Sequence, residues 1–441
     1  MKGMPIKSNI GLSESSILMY TGYTREIYLL EYDSEERWTT DNEEIAVVSD
    51  GVIKAVSPGN TVIHCVTKDG KDFSCEVEVR KCVSDAYRII AEEEAQWIES
   101  LQLSDGSFSC YELDDSLPVR VNPYFSCYAA LAMLQSDYEN SKKENINAYL
   151  NWYFAHMNME KDINGSVGTI YDYQVNVQGK EVISETNMKS YDSADSYSAM
   201  FLILLWKYFD KYQDSEIMSA QKGKIDQLVD ILLSLQSGGY TESIQGSDVK
   251  YLMNNVEVYQ GMQCALRLYK SLWKTEERTI RLDKAVTEFQ DNFDCIWWEK
   301  DHYYSVLERN NQSFYGDTMD WGKLYEFAVP QLFPVMFGVK KAEEEQSQKV
   351  YSYFCRQWKW ESMEYDNQTD GNQTWSMIAY AAAIMRDYKR VDEFLGNIKN
   401  RGNDRGYPYY SGDSVWVILT CEEAFRYYSN LERRGLEIEK N

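Results

Sequence analysis

Acidic side chains stand directly before several long apolar runs of this sequence. Asp192 and Asp195 open the stretch YDSADSYSAMFLILLWKYF, residues 191–209. Glu257, in NNVEVY, and Asp320, in TMDWGKLYE, hold similar positions before later runs. Glycoside hydrolysis requires a carboxylic acid that gives a proton and a second carboxylate that activates water or attacks carbon. The pattern therefore predicts a site built from paired carboxylates.

The same positions also suit helix capping. Asp192 fits an N-cap, with Asp195 three residues later in a capping-box-like position. Asn254, Asn255 and Ser411 fit caps of their own helices equally well. Capping and catalysis both stay open for each carboxylate, and we expect at least one of the set to contact substrate.

Roles within the carboxylate set follow from the flanking residues. We predict Glu257 as the acid, because apolar neighbours on both sides raise a carboxyl pKa. Asp320, beside Trp321, is predicted as the base. Further carboxylates that we place in or near the same cleft are Asp105, Asp172 and Asp413.

Aromatic residues are unusually frequent, with 35 Tyr and 12 Trp. Rings with a polar group suit helix packing and also suit wet, amphipathic ligands such as sugars. Rings near predicted loops, for which packing remains the alternative, are the candidates for sugar stacking: Tyr124, Tyr171, Tyr173, Tyr240, Trp321, Trp375, Tyr407 and Tyr409. Among three histidines, His302 in DHYYS is the candidate substrate contact, and His156 is predicted to be structural.

Composition excludes several classes of partner. A formal net charge of -25 disfavours nucleic acid and anionic membranes, because both demand Lys and Arg. The longest apolar run, AMFLILLW at 199–206, is far shorter than the ~20 residues of a membrane span. The first residues show no signal-peptide pattern. Nine scattered cysteines without a CxxC pair predict buried thiols, and the scarcity of His argues against a metal site. We predict no cofactor, and the sequence gives no prediction of oligomeric state.

Two different periodicities divide the chain into candidate domains. Residues 1–16 read as a leader or linker. Residues 17–81 alternate like short strands separated by turn signals such as Asp50-Gly51 and Asp69-Gly70, which predicts a small β-sandwich. From residue 84 to residue 441 the pattern is helical.

The strand-rich segment resembles a known module. Trp38, the core IAVVSDGVIKAVSPG and the last paired strands are similar to a bacterial Ig-like domain of group 2. That resemblance covers about 60 residues and implies a spacer or adhesive unit of bacterial surface proteins, with no catalytic residues.

The helical segment, 84–441, reads as roughly six helical hairpins, each with a more apolar second helix. The fourth, for example, pairs RLDKAVTEFQDNFDCIWW with MDWGKLYEFAVPQLFPVMF. In DSYSAMFLILLWKYF the apolar residues cover nearly the whole helix, which is typical of a helix enclosed by others. An inner ring of such helices wrapped by amphipathic ones predicts an (α/α)6 toroid, with an open solenoid as the alternative. The outer-to-inner loops then share one end with the candidate carboxylates, where a cleft is expected.

This helical part resembles the six-hairpin glycosidase superfamily. The resemblance rests on repeat number and on loops such as DGSF, GGYTES and DNQTDG, over residues 85–441. YDSADSYSAMFLILL is also similar to a segment of family-eight glycoside hydrolases, which implies that Asp195 holds a distorted sugar with Asp192 beside it. The acid of that family is a Glu near an early inner helix, and the corresponding VNPYFSCYAA contains none. Glu257 is the remaining candidate for the acid.

Three functions fit these observations. The first is a carbohydrate-active hydrolase that cleaves a poly- or oligosaccharide. The second is a polysaccharide lyase with Tyr or His302 as base and Arg120 or Arg405 facing an acidic sugar. The third is a non-catalytic glycan-binding surface protein, motivated by the missing Glu. The Ig-like resemblance implies an extracellular or cell-surface location, whereas unpaired thiols and the absent signal peptide favour the cytoplasm.

Overall fold

The computed structural model describes residues 11–30, 36–273, 276–298, 301–309, 312–313, 320–362, 376–400 and 409–438. The chain forms two compact units. One consists of residues 1–89 together with 423–441, and the other of residues 90–422. These units are defined by contacts between residues, whereas the predicted domains, 17–81 and 84–441, were defined by sequence periodicity. The predicted domain boundaries remain predictions.

Nine strands build the first unit. They are β1 Gly11–Leu12, β2 Ser16–Tyr20, β3 Thr24–Glu26, β4 Leu29–Leu30, β5 Glu36–Thr40, β6 Ala46–Ser49, β7 Val52–Ala55, β8 Gly59–Thr67 and β9 Asp72–Arg80. A four-stranded sheet has the order β2-β9-β8-β5, a three-stranded sheet has the order β3-β7-β6, and β1 pairs with β4. Alternate residues of both larger sheets share one apolar core, which includes Ile17, Ile53, Ile63 and Val77.

The turn between β6 and β7 forms where the sequence predicts it. Asp50 and Gly51 link the two strands, and both have positive φ, 50° and 79°. Asp-Gly tolerates this conformation and matches the twist of a two-residue hairpin. The Ig-like assignment itself remains a prediction.

The end of the chain completes the first unit. The Glu432 carboxylate accepts hydrogen bonds from Val83 N at 2.6 Å, Ser84 N at 3.0 Å and Ser84 Oγ at 2.6 Å. Tyr20 Oη donates to Leu436 O at 2.8 Å. Glu432 therefore satisfies backbone donors at the start of the helix Ser84–Ser100, although it lies about 350 residues further along the chain.

Thirteen α-helices occur in the described chain. They are α1 Ser84–Ser100, α2 Pro123–Ser136, α3 Lys143–His156, α4 Ala194–Tyr212, α5 Glu216–Ala220, α6 Lys222–Leu235, α7 Leu252–Leu272, α8 Glu276–Phe293, α9 Phe333–Met336, α10 Glu345–Gln357, α11 Met377–Ile384, α12 Tyr388–Asn400 and α13 Ser411–Arg433. All of these except α5 overlap a predicted hairpin helix, and α9 covers only the end of its own. Closure of the hairpins into a toroid remains a prediction.

The second helix of the fourth predicted hairpin is wrong. Where MDWGKLYEFAVPQLFPVMF predicts one helix, a π-helix at 324–328 is followed by a 3-10 turn at 329–332 and by the short α9. Pro330 and Pro334 remove backbone donors, which breaks a regular helix. The predicted end of the preceding helix is also wrong, because Trp297–Trp298 forms a strand.

Ten short strands lie in the described part of the second unit. They are β10 Val119–Val121, β11 Tyr173–Gln178, β12 Glu181–Asn187, β13 Gln236–Ser237, β14 Tyr240–Thr241, β15 Val249–Tyr251, β16 Trp297–Trp298, β17 His302–Tyr303, β18 Val306–Arg309 and β19 Gln312–Ser313. The β10-β11-β12 sheet was not predicted. Its hairpin YQVNVQGKEVISETN turns at Gly179 and Lys180, with a φ of 59° at Gly179, and a glycine between two alternating runs is a signal that the sequence contains.

Helices α4 and α7 approach each other very closely. A Cβ added at Gly261 would lie 2.7 Å from Ala199 Cα and 2.9 Å from Ala199 O. Asp195 and Glu257 lie one turn before Ala199 and Gly261, so the two helices run parallel at this contact. The small residues thus set the separation of the two carboxyl-bearing turns.

Thiols and apolar helices complete the description. All nine cysteines are free and eight are buried, which agrees with the prediction of buried thiols. No helix among the described residues has the length and apolar character needed to cross a membrane.

Candidate active site

An aromatic cavity lies in the second unit. Its volume is about 340 Å³, within the range of ligand sites. Tyr124 and Phe125 of α2 and Trp416 of α13 contribute rings to its wall. The lining residues are Cys110, Tyr111, Arg120, Tyr124, Phe125, Met253, Tyr325, Phe333, Met377, Tyr410 and Trp416. Arg120 is the one charged side chain among them.

Glu257, on the first half of α7, is 2% exposed. Its Oε1 accepts a hydrogen bond from Tyr124 Oη at 2.6 Å and another from Tyr128 Oη at 3.2 Å. Burial raises the pKa of Glu257 to about 7, and the negative charge of Asp195 adds to this, although both tyrosine hydroxyls oppose it. A carboxyl group with this pKa holds a proton near neutrality, as a general acid must.

Asp195 is fully buried in the first turn of α4. Its carboxylate accepts hydrogen bonds from Thr241 Oγ1 at 2.8 Å, Asn254 Nδ2 at 3.0 Å and Ser196 N at 2.7 Å. Burial raises its pKa to about 6, since desolvation exceeds the effect of these donors. The charge of Asp195 acts on Glu257, so the structure brings the two carboxyl groups together. The three hydrogen bonds hold the Asp195 carboxylate in place.

A second polar network holds Arg120 at the cavity. Its Nη2 donates to Asp172 Oδ2 at 2.8 Å. Asn122 Nδ2 donates to both oxygens of Asp172 at 3.1 and 3.2 Å, and Tyr197 Oη donates to Oδ1 at 3.0 Å. The Arg120 side chain is 58% exposed whereas that of Asp172 is 9% exposed. Asp172 thus fixes the guanidinium, and their charges largely cancel.

Asp192 is not the predicted helix cap. Helix α4 begins at Ala194 with Ser193 in the N-cap position, and no side chain caps it. Asp192 is exposed instead. Partial desolvation and the negative charge of Asp172 raise its pKa, and Arg120 acts in the opposite direction. Ser193 has extended backbone angles, φ -149° and ψ 132°, so the N-cap position falls one residue after Asp192.

Asp320 and Trp321 lie apart from this cluster in their contacts. Asp320 is exposed, and its Oδ1 accepts from Gly322 N at 2.9 Å in a turn. Trp321 stacks on Tyr353 with ring centroids 5.7 Å apart. Within the described residues, no hydrogen bond joins Asp320 to Glu257, so its role as base remains a prediction.

The other predicted substrate contacts divide between cavity and packing. Tyr124 lines the cavity. Tyr171 accepts from Ile163 N at 2.9 Å, and Tyr240 Oη donates to Asn292 O at 2.7 Å. Both rings are buried by packing.

Three further candidates remain. His302 is buried on β17 and hydrogen-bonds Asp301 through Nδ1. Trp375 and Tyr407 lie outside the described residues.

Several members of the site were missed by sequence reasoning. Tyr128 follows Tyr124 by four residues on α2, a spacing that puts both rings on one helix face. That spacing was the available signal. Asn122 is the N-cap of α2, where its side chain accepts a hydrogen bond from Phe125 N at 3.1 Å. It therefore lies at the same end of α2 as Tyr124. Tyr197 carried no comparable signal.

Metal chemistry finds no ligand set in the described part of the chain. No group of three or more His, Cys, Asp or Glu residues there is arranged to hold an ion.

Glu257 makes stability depend on pH. Its pKa rises from an ordinary 4.5 to about 7 on folding, so the native state binds more protons than the unfolded state in that interval. Stability from this group is present below pH 4.5 and is lost as pH rises through 7. Glu257→Gln should therefore gain about 3 kcal/mol over the wild type between pH 4.5 and 8.

Thermal unfolding at pH 5, 6, 7 and 8 measures this effect. The Tm of Glu257→Gln minus that of the wild type should increase with pH. Glu277→Gln, at an exposed position on α8, should show a constant difference. A pH-independent difference for Glu257→Gln would mean that Glu257 titrates normally.

Comparison with known proteins shows the fold of this chain. No family model matches it, and no curated protein matches it in sequence. Among solved structures, a glycosidase is 10% identical with a TM-score of 0.52, over 80% of this chain and 98% of its own. An alpha-amylase from Clostridium perfringens is 11% identical with a TM-score of 0.51, over 76% of this chain and 97% of its own. A beta-1,3-1,4-glucanase from Paenibacillus sp. X4 is 9% identical with a TM-score of 0.51, over 78% and 93%.

The chain therefore has a glycosidase-like fold. One structure of a similar glycosidase, a glutamate-to-alanine variant, contains glucose. At these identities the likeness concerns the fold alone. The resemblances to family-eight hydrolases and to Ig-like domains of group 2 remain predictions.

Proposed function

We propose that this protein is a glycoside hydrolase that acts on a poly- or oligosaccharide. The observation that carries the proposal is Glu257, a buried carboxyl with a pKa of about 7 that is hydrogen-bonded to a wall residue of the aromatic cavity. Glu257 supplies the proton for the leaving oxygen. The rings of Phe125, Tyr410 and Trp416 pack against sugar faces, which aromatic groups favour.

The second carboxylate of this reaction is Asp192. It is exposed to water, and its charge interacts with those of Asp172 and of Arg120, which lines the cavity. Asp320 is the alternative base. Asp195 does not act as base, because it is fully buried and three donors already occupy its carboxylate.

A polysaccharide lyase is the second candidate, because Arg120 lines the cavity and a lyase must neutralise a uronate. Two observations favour the hydrolase. Asp172 already pairs with Arg120. Burial holds the pKa of Tyr124 and of Tyr410 well above the ordinary value, which makes both phenols poor bases.

Incubation with a panel of glycans, followed by mass spectrometry, tests the function. A hydrolase adds water and yields new reducing ends. An unsaturated product that absorbs in the ultraviolet would assign the lyase instead. Saturable binding without product would assign a glycan-binding protein.

Two carboxamide variants distinguish the candidate bases. Asp192→Asn should lower kcat by about 10²-fold, because general-base catalysis is lost. Asp320→Asn should change kcat by less than about threefold, as expected of a residue outside the reaction. Steady-state kinetics on a glycan that the panel shows to be cleaved measures both values of kcat. The opposite order would return the role of base to Asp320.

The first unit is proposed to be an Ig-like spacer or adhesive module, and the protein is proposed to reside at the cell envelope. The paired strands around one core support this assignment. Fractionation of the source cells, with detection of the protein by antibody, tests the location. Recovery in the cytoplasmic fraction would agree with the unpaired thiols instead.

A further inference from the structure

The cavity wall and Glu257 are separated by one side chain. Glu257 is 2% exposed and, among the described residues, does not line the cavity. Tyr124 is half-buried, lines the cavity and places its hydroxyl 2.6 Å from Glu257 Oε1. A ligand bound in the cavity therefore contacts the Tyr124 side chain, and Tyr124 in turn contacts the carboxyl group.

Surrounding rings hold Tyr124 in this position. Its ring stacks on Tyr197 at 5.8 Å and contacts Tyr128 edge-on at 5.1 Å and Phe125 at 5.3 Å. A phenol fixed on three sides keeps its hydroxyl oriented with little entropic cost. Such a fixed donor is what proton transfer in a transition state requires.

We propose, on the basis of the proposed hydrolase function, that Tyr124 is a catalytic residue that relays the proton of Glu257 to the glycosidic oxygen. When Glu257 is protonated, its O–H donates to Tyr124 Oη, which reverses the hydrogen bond that Tyr124 makes to the carboxylate and leaves the Tyr124 proton to face the leaving oxygen. The Glu257 O–H bond then breaks and its proton passes to Tyr124 Oη. The proton already on Tyr124 passes to the leaving oxygen, while the C–O bond to the anomeric carbon breaks and its electron pair stays on that oxygen. Water then adds to the anomeric carbon and gives its proton to the base carboxylate.

The acidities of the two groups fit a relay. Glu257 keeps a proton near neutrality, and burial beside Glu257 holds the pKa of Tyr124 well above its ordinary value. Tyr124 therefore neither loses its proton at rest nor acts as a free phenolate. It passes a proton on only when it receives one, which is the behaviour of a relay.

Tyr128 provides a matched control. Its hydroxyl donates to the same Glu257 Oε1 at 3.2 Å, but its buried ring is not among the described lining residues of the cavity. Tyr124→Phe and Tyr128→Phe each remove one hydroxyl that donates a hydrogen bond to Glu257 Oε1. Both should shift the pH profile of kcat/KM, since each hydroxyl lowers the pKa of Glu257. Only Tyr124→Phe removes the path to the cavity.

The test compares leaving groups in the full-length protein. The probes are a methyl glycoside and a 2,4-dinitrophenyl glycoside of the sugar identified by the glycan panel, because dinitrophenolate departs without a proton. Tyr124→Phe should lose about 10²-fold in kcat on the methyl glycoside and less than about threefold on the dinitrophenyl glycoside. Tyr128→Phe should lose less than about tenfold on both.

The outcomes separate the relay from the function on which it rests. Equal losses for both variants on both glycosides would overturn the relay and leave the hydrolase standing. A larger loss for Tyr128→Phe than for Tyr124→Phe would overturn it as well. A wild-type protein that cleaves neither glycoside would overturn the relay together with the proposed function.

Discussion

Glu257→Gln should lower kcat on a natural glycan by about 10³-fold while leaving the dissociation constant for that glycan within about threefold. The amide has nearly the same shape as the acid, and its oxygen still accepts from Tyr124 and Tyr128. What it lacks is a proton of suitable acidity. Kinetics combined with calorimetric titration of the unhydrolysed glycan measures both quantities.

Two controls make this result specific. Glu277→Gln applies the same substitution at an exposed position and should retain wild-type kcat. Because Glu257→Gln is expected to stabilise the protein above pH 7, a loss of activity cannot come from unfolding. Full kcat in Glu257→Gln would remove Glu257 from the reaction and end the present assignment of the acid.

Gly261→Ala should destabilise the second unit and also reduce activity. Ala has the better helix propensity, by about 1 kcal/mol. Its Cβ, however, would stand 2.7 Å from Ala199 Cα and 2.9 Å from Ala199 O, and a backbone cannot yield as a side-chain end can. We expect a net loss of about 2 kcal/mol, seen as a Tm lower by roughly 5 °C.

The loss of activity follows from geometry. Separation of α4 and α7 moves Glu257 and Asp195 apart, and displacements near 1 Å cost about 10²-fold in rate. Gly223→Ala, on α6 with no atom near its added Cβ, should raise Tm slightly and keep kcat. Ala199→Gly added to Gly261→Ala should restore part of both losses, since it removes one of the clashing atoms. Unchanged Tm and kcat in Gly261→Ala would mean that the helix separation is adjustable.

Local patterns predicted the parts of the site that lie on single helices. The continuous apolar run of α4 predicted a helix enclosed by others, and its residues 197–205 are buried. The burial of α4 depends on residues within a few positions of each other, which periodicity describes well. The apolar neighbours of Glu257 predicted a raised pKa, and burial does raise it to about 7, but the groups that act on it are distant in sequence.

Partners that are distant in sequence could not be predicted in this way. Tyr124 and Glu257 are 133 residues apart, and no periodicity links α2 to α7. The Arg120–Asp172 pair likewise depends on the register of β10 against β11, where Arg120 opposes Gln174. Arg120 lies on β10 and Asp172 directly precedes β11; because neither strand was predicted, this pair was not predicted either.

Two errors had visible warnings in the sequence. Two prolines four residues apart, Pro330 and Pro334, break the helix predicted from apolar content alone. Asp192 has the residue type of an N-cap, but capping requires a side-chain oxygen at the residue before the first helical one. Here that residue is Ser193.

Glu432 and its neighbours have a consequence for synthesis on the ribosome. The first unit takes residues from both ends of the sequence, and the carboxylate that binds Val83 N and Ser84 N is translated about 350 residues after them. During translation the first unit therefore stays incomplete until residues 90–422 have been synthesised. Residues 90–422 are consequently free to fold first, which reverses the usual N-to-C order of domain folding.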